Sequence, residues 1–100
     1  DELHVVETMG QRKHMITDIS DAFITLPGGA GTLEEFFEIW VGHYLKFHTK
    51  PVVILDPFEV YAPLHELIVH LEEEKFIKPG MREIIRWTTN VQDALKACGA

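Results

Sequence analysis

The sequence predicts an α/β fold, a parallel sheet with helices on its faces, and three observations carry that reading. The short, nearly continuous apolar runs Ala22–Leu26 and Pro51–Leu55 have the length and content of strands buried on both faces of a parallel sheet. Segments of helical period stand between such runs. The two kinds alternate along the chain, as βα units joined by crossovers do.

Taken in order, Leu3–Glu7 is a short run that reads as a strand or an extended lead-in. Thr8 is placed to cap a helix through about Ser20, with Met9, Ile16 and Ile19 inward. Strand Ala22–Leu26 follows, then a turn containing Gly28, Gly29 and Gly31. From Thr32 apolar residues fall at 33, 36, 37, 40, 41, 44 and 45, the i, i+3, i+4, i+7 pattern of an amphipathic helix, which fades between Lys46 and Thr49. Strand Pro51–Leu55 is ended by Asp56-Pro57. A helix runs from Ala62 to about Lys75, with Pro63 in its first turn and Leu64, Leu67, Ile68 and Leu71 on one face. Ile84–Thr88 reads as a third sheet strand and Val91–Ala97 as a last short helix. Neither internal repeats nor low-complexity segments are visible, so residues 1–100 read as a single domain. Three sheet strands are few for this class, and a partner chain or an N-terminal half is expected to complete it.

Composition narrows the function classes. With 46% apolar and 25% charged residues in 100, the chain suits one small folded domain rather than a disordered segment. A formal charge of −7 leaves no broad basic stripe, which argues against non-specific nucleic-acid binding. Cys98 is the single cysteine, so no intrachain disulfide forms and a reducing, cytoplasmic setting is expected. No apolar run approaches the roughly 20 residues of a membrane span. The chain opens on Asp1 rather than Met, and the true N-terminus is expected upstream.

The richest stretch is Pro27-Gly-Gly-Ala-Gly-Thr-Leu-Glu-Glu35, where a strand ends in glycines and a helix begins. Outward backbone N–H groups, the positive end of the helix dipole and the lack of side chains suit such a turn to a phosphate. Thr32 adds a hydroxyl. The position, at the carboxyl end of a strand, is where open α/β sheets bind ligands. The alternative is a tight strand-to-helix turn with no ligand. The pattern is neither a Walker A loop nor the dinucleotide Gly-x-Gly-x-x-Gly. The two acids have a structural reading of their own. Thr32 and Glu35 fit a capping box, and Glu34 suits a first helical turn.

Other polar residues carry less. None of His4, His14, His43, His48, His65 and His70 forms a His-x-x-x-His pair, and no zinc site is expected. His43 and His48, at the end of the long helix, are expected to face solvent or a partner. Glu72–Glu74 reads as a solvated helix face. Asp56 either approaches a ligand or starts a turn. Phe37 and Trp40 read as core or subunit contact.

At these residues the chain resembles a known family. Pro27–Glu35 matches Pro-Gly-Gly-x-Gly-Thr-x-x-Glu, the signature of the LOG ("lonely guy") family, many of whose members carry the older label "possible lysine decarboxylase". Met9-Gly-Gln-Arg-Lys13 resembles the family's Met-x-x-Arg-Lys segment, and the separation of Arg12 from Glu35 is also the family's. His48–Val52, Tyr61–Leu64 and Glu74–Ile77 resemble later blocks. Two positions depart: Ile16 replaces a usual methionine, and Ala30 replaces a common aromatic. Family members are longer, and this chain corresponds to their C-terminal half.

The resemblance implies a Rossmann-like, three-layer α/β/α domain. It also implies hydrolysis of the N-glycosidic bond of a nucleoside 5′-monophosphate, such as a cytokinin riboside monophosphate, with no cofactor or metal. Carried over by motif, Arg12 and Glu35 are the catalytic pair, while Gly28, Gly29, Gly31 and Thr32 hold phosphate. Lys13 is a secondary nucleotide contact and Glu34 a neighbour of the site. A homodimer or larger homo-oligomer with active sites near the interface is implied, and the long helix 32–46 is the candidate interface element. Two other readings stand beside this one. The first is a nucleotide-binding module without turnover. The second is a pyridoxal phosphate decarboxylase, for which no lysine is singled out as the Schiff-base residue.

Overall fold

A computed structural model describes the backbone of residues 3–6 and all of residues 21–99. Its strands are β1 (Leu3–Val6), β2 (Ala22–Thr25), β3 (Val52–Leu55) and β4 (Ile85–Thr88). Its helices are α1 (Ala30–Tyr44), α2 (Ala62–Glu73), α3 (Pro79–Ile84) and α4 (Val91–Ala97). The strands form one parallel sheet in the order β1-β2-β3-β4, so chain order is also spatial order.

The α/β class therefore holds, with corrections. Among the described residues the sheet has four strands, because Leu3–Val6 pairs residue by residue with Ala22–Thr25. The helix expected over residues 8–20 lies outside the described residues. Helix α3 has no counterpart in the sequence reading. Pro79-Gly80 looks like a turn, yet Pro79 occupies the first helical position, where its missing N–H costs nothing.

Strands β2 and β3 are buried at every position, as continuous apolar runs require. Alternation sends their side chains to two cores. Phe23, Val52, Ile54 and Ile85 meet Phe36, Ile39, Trp40, Tyr61 and Ile68 on one face. Ile24, Val53 and Leu55 meet Ala94 of α4 on the other. This gives a helix–sheet–helix sandwich. Trp40 Nε1–H donates to the Met81 carbonyl at 2.7 Å, which ties α3 to α1.

Two helical faces differ from the apolar count. On α2, Ile68 is buried, but Leu67 stands exposed. On α1 the buried residues are Glu35, Phe36, Ile39, Trp40 and Gly42. Phe37, Val41 and Leu45, also in the apolar stripe, face outward. The stripe is wider than one buried face, so the helix presents apolar surface both to the sheet and to solvent.

Candidate functional site

All four parallel strands point their carboxyl ends to one edge of the sheet. Segments 26–29, 56–61 and 89–90 leave β2, β3 and β4 there. The glycine turn is the first of these. It carries the chain from Thr25 to Ala30, where α1 starts three residues earlier than a Thr32 N-cap would place it.

That shift changes the chemistry of the turn. Gly29, with extended backbone at φ −97° and ψ −153°, is the N-cap of α1 and, being glycine, brings no side chain to cap the helix. The first intrahelical bond of the turn runs from Leu33 N–H to the Gly29 carbonyl at 3.1 Å. The amides of Ala30, Gly31 and Thr32 precede it, and such amides look to a cap, water or a ligand for a partner. The expected Thr32–Glu35 capping box is not formed. Thr32 sits at the third helical position, and Glu35 lies beyond the first turn.

Gly28 and Gly29 are glycines for different reasons. A Cβ on Gly28 would lie 2.9 Å from Thr32 Cβ and overlap the Thr32 hydroxyl, so the close approach of the turn to the helix forbids a side chain. A Cβ on Gly29 would meet nothing within 4 Å. The space before the helix is open at that position. Gly31 and Thr32 are half-buried on the first turn of α1.

Of the two acids, Glu34 is exposed and Glu35 is only 3% exposed. Glu35 and Ile39 stand one turn apart on the buried face of α1, a helix that lies against β1. Burying a carboxylate among apolar neighbours is costly unless it is bonded, so the position of Glu35 is not that of a solvated helix acid. Arg12 and Lys13 lie outside the described residues.

The loop after β3 supports the turn. Asp56 is buried, and its carboxylate oxygens accept the N–H groups of Val60 at 2.9 Å and Tyr61 at 2.7 Å. This is the turn-starting role. It sets Tyr61, whose hydroxyl donates to the Leu26 carbonyl at 2.8 Å. Burial, reinforced by the Asp56 charge, pushes the Tyr61 phenol up, while the Gly28 backbone amide acts in the opposite direction. Sequence reasoning missed this tie because it joins residues 35 apart.

The histidines at the far end of α1, expected to face solvent or a partner, both bond the chain's own backbone. His48 is buried, its Nε2 lies 2.9 Å from the Ile39 carbonyl, and its Nδ1 accepts the Lys50 N–H at 3.1 Å. The amide fixes Nδ1 as the bare nitrogen, so Nε2 carries the proton. His43 bonds the Lys50 carbonyl at 2.8 Å through Nδ1. Both close the helix end rather than serve a site. Among the described residues no three His, Cys, Asp or Glu side chains gather as a metal site needs. Nor is any helix there long and apolar enough to cross a membrane.

Residues 1–98 match the family model described as "Possible lysine decarboxylase". The chain is 44% identical over 98 residues to a protein of Mycobacterium tuberculosis named cytokinin riboside 5′-monophosphate phosphoribohydrolase, covering 98% of this chain and 52% of that protein. A protein of the same name from Rhodococcoides fascians is 45% identical over 96 residues, covering 96% and 48%. One from Arabidopsis thaliana is 42% identical over 95 residues, covering 95% and 44%. The chain thus spans about half the length of the curated relatives it matches.

Proposed function

The chain belongs to the family described as possible lysine decarboxylase, the LOG family, and from that membership we propose that its protein is a nucleoside 5′-monophosphate phosphoribohydrolase. Water adds across the N-glycosidic bond of AMP or an N6-modified AMP, releasing the free base and ribose 5-phosphate. The observation that carries this reading is Glu35, a buried carboxylate one helical turn behind a turn whose N-cap is glycine.

The roles follow from the charges that develop. The 5′-phosphate docks on the glycine turn, where the amides of residues 30–32 and the helix dipole offset its charge. As the base departs, the ribose gains oxocarbenium character. Glu35 stabilises that charge and accepts the proton of the attacking water. Arg12 binds phosphate or ribose oxygens through its planar fork and orients Glu35. Lys13 is a second cation for the nucleotide. Glu34, being exposed, is a neighbour without a chemical role.

We place the protein in the cytoplasm as a homodimer or larger assembly, joined through the outward face of α1. Phe37, Val41 and Leu45 on that face, with Phe47 beyond it, are exposed large apolar side chains. A pyridoxal phosphate decarboxylase is the weaker reading. A Schiff-base lysine needs a desolvated setting, and of the described lysines Lys46, Lys75, Lys78 and Lys96 are exposed and Lys50 half-buried.

The test incubates the full-length protein with AMP and N6-isopentenyl-AMP and assays base and ribose 5-phosphate, with Glu35→Gln alongside. Release by the wild type, reduced at least about 100-fold in Glu35→Gln, supports the hydrolase. Equal nucleotide binding by both proteins without release would leave a nucleotide-binding module in its place.

A further inference from the structure

The geometry points to Tyr61 as a positioning residue for the phosphate-binding turn: its buried hydroxyl, bonded to the Leu26 carbonyl, holds Gly28–Thr32 in the shape that receives the substrate phosphate. The inference rests on the proposed function and adds to it a residue outside the signature stretch.

Tyr61 reaches the turn from a different βα unit. It is 4% exposed and belongs to the main core beside Phe23, Ile54 and Ile68. Its backbone is fixed from behind, since the Asp56 carboxylate accepts the N–H groups of both Val60 and Tyr61. The ring is thus clamped at its base and packed along its length. One polar atom remains to be placed, and it is placed at the start of the turn, 2.8 Å from the Leu26 carbonyl.

The location matters because the turn has few supports of its own. Gly29, the N-cap of α1, has no side chain with which to cap it. Leu26, Pro27, Gly28 and Gly29 are all exposed, and beyond the close approach of Thr32 to Gly28 little packing holds them. Glycine-rich backbone carries the largest entropy cost on ordering. A buried anchor at Leu26 is therefore the means by which amides at residues 30–32 are aimed before a phosphate arrives, and pre-aimed donors are the ones that contribute to binding.

Removal of the hydroxyl should act on phosphate affinity rather than on turnover. In the full-length protein, Tyr61→Phe is expected to raise KM for AMP and Kd for ribose 5-phosphate about fivefold, the weight of one hydrogen bond, with kcat within about twofold. Thr88→Val is the control, removing a comparable bond from Thr88 Oγ1 to the Ile54 carbonyl, 2.8 Å long, one strand away. It should lower the melting temperature to a similar extent and leave both constants unchanged.

Calorimetric titration with ribose 5-phosphate separates this inference from the hydrolase reading. If the wild type binds but releases no base, the hydrolase reading fails, and Tyr61 is judged on the binding ratio alone. A Tyr61→Phe protein that binds ribose 5-phosphate as tightly as wild type overturns the inference, as does an equal loss in Thr88→Val. A wild type that binds neither AMP nor ribose 5-phosphate overturns both.

Discussion

Thr32 packs its side chain against Gly28, so closely that a methyl group on the glycine would overlap the threonine hydroxyl. Gly28→Ala must push the turn off the helix, and such overpacking costs about 1–3 kcal/mol. At Gly29 the same methyl meets nothing within 4 Å. Gly29→Asp should therefore stabilise α1 by a few tenths of a kcal/mol, since aspartate is a better N-cap and favours the dipole. It also places a carboxylate where the substrate phosphate would sit. Urea unfolding of the full-length variants should show Gly28→Ala destabilised and Gly29→Asp at or above wild type. AMP affinity should fall at least about tenfold in both, the weight of one charge-assisted contact. Unchanged affinity in Gly29→Asp would place the phosphate elsewhere.

His48 makes stability depend on pH. Burial holds its imidazole below the ordinary 6.5, and the nearby His43 and Lys50 act in the same direction, opposed by the Ile39 carbonyl. The ring also packs on Gly42, where a Cβ would stand in van der Waals contact with it. Above pH 6.5 both folded and unfolded forms carry the neutral ring, and the stabilisation is complete. As pH falls below 6.5 the unfolded chain takes the proton first, so stability declines until the folded pKa is passed. Guanidinium unfolding at pH 7.5 and 5.5 should show a smaller difference in His48→Gln than in wild type. Equal differences would mean that folding does not shift the His48 pKa.

Both long helices end in the same way, with a lysine at the costly position. Lys46 and Lys75 have φ of 68° and 67°. Around them run the paired bonds of a Schellman cap, Phe47 N–H to Gly42 O with Lys46 N–H to His43 O, and Phe76 N–H to Leu71 O with Lys75 N–H to Glu72 O. A left-handed conformation costs a residue with a Cβ about 1 kcal/mol. Lys46→Gly and Lys75→Gly should each stabilise the fold by up to about that much, less the loss of a cation near the helix end. Melting curves of the single and double variants check this, and any fall in melting temperature counts against it.

These caps show where sequence reading stops. A glycine after α1 would have marked its end, but lysine gave no sign, and the helix could only be said to fade after residue 45. Gly29 hid the start of α1 by the opposite route. A glycine N-cap offers no side chain to recognise, so Thr32, a good cap three residues on, took its place. What depended on local pattern was legible: the apolar runs of β2 and β3, the period of α1, the span of α4. Residues acting across the fold were not. Tyr61 was visible only within a family block, and His48 looked solvent-facing because nothing local announces the Ile39 carbonyl it meets. Glu35 was legible as a motif acid, but its burial follows from the rotation of α1, which places Glu35 and Gly42 inward and Phe37 and Val41 outward.

That rotation leads to the last prediction. Phe37, Val41 and Leu45 recur every fourth residue on the outer face of α1, and Phe47, 79% exposed, extends the patch past the helix end. Contiguous apolar surface of this kind marks an interaction site on a folded protein. The same helix begins at the glycine turn and carries Glu35, so a second copy docked on this face would brace the element that holds the candidate site. Phe37→Asp and Val41→Asp each bury a charge in that contact, which costs at least about 2 kcal/mol at an interface anchor, or roughly thirtyfold in dimer Kd. Sedimentation velocity on the full-length protein should show wild type as a dimer or larger species and both variants shifted to monomer at micromolar concentration. Base release should fall with the dimer fraction and recover as protein concentration rises. A monomeric wild type, or variants that still sediment as wild type does, would remove α1 from the interface.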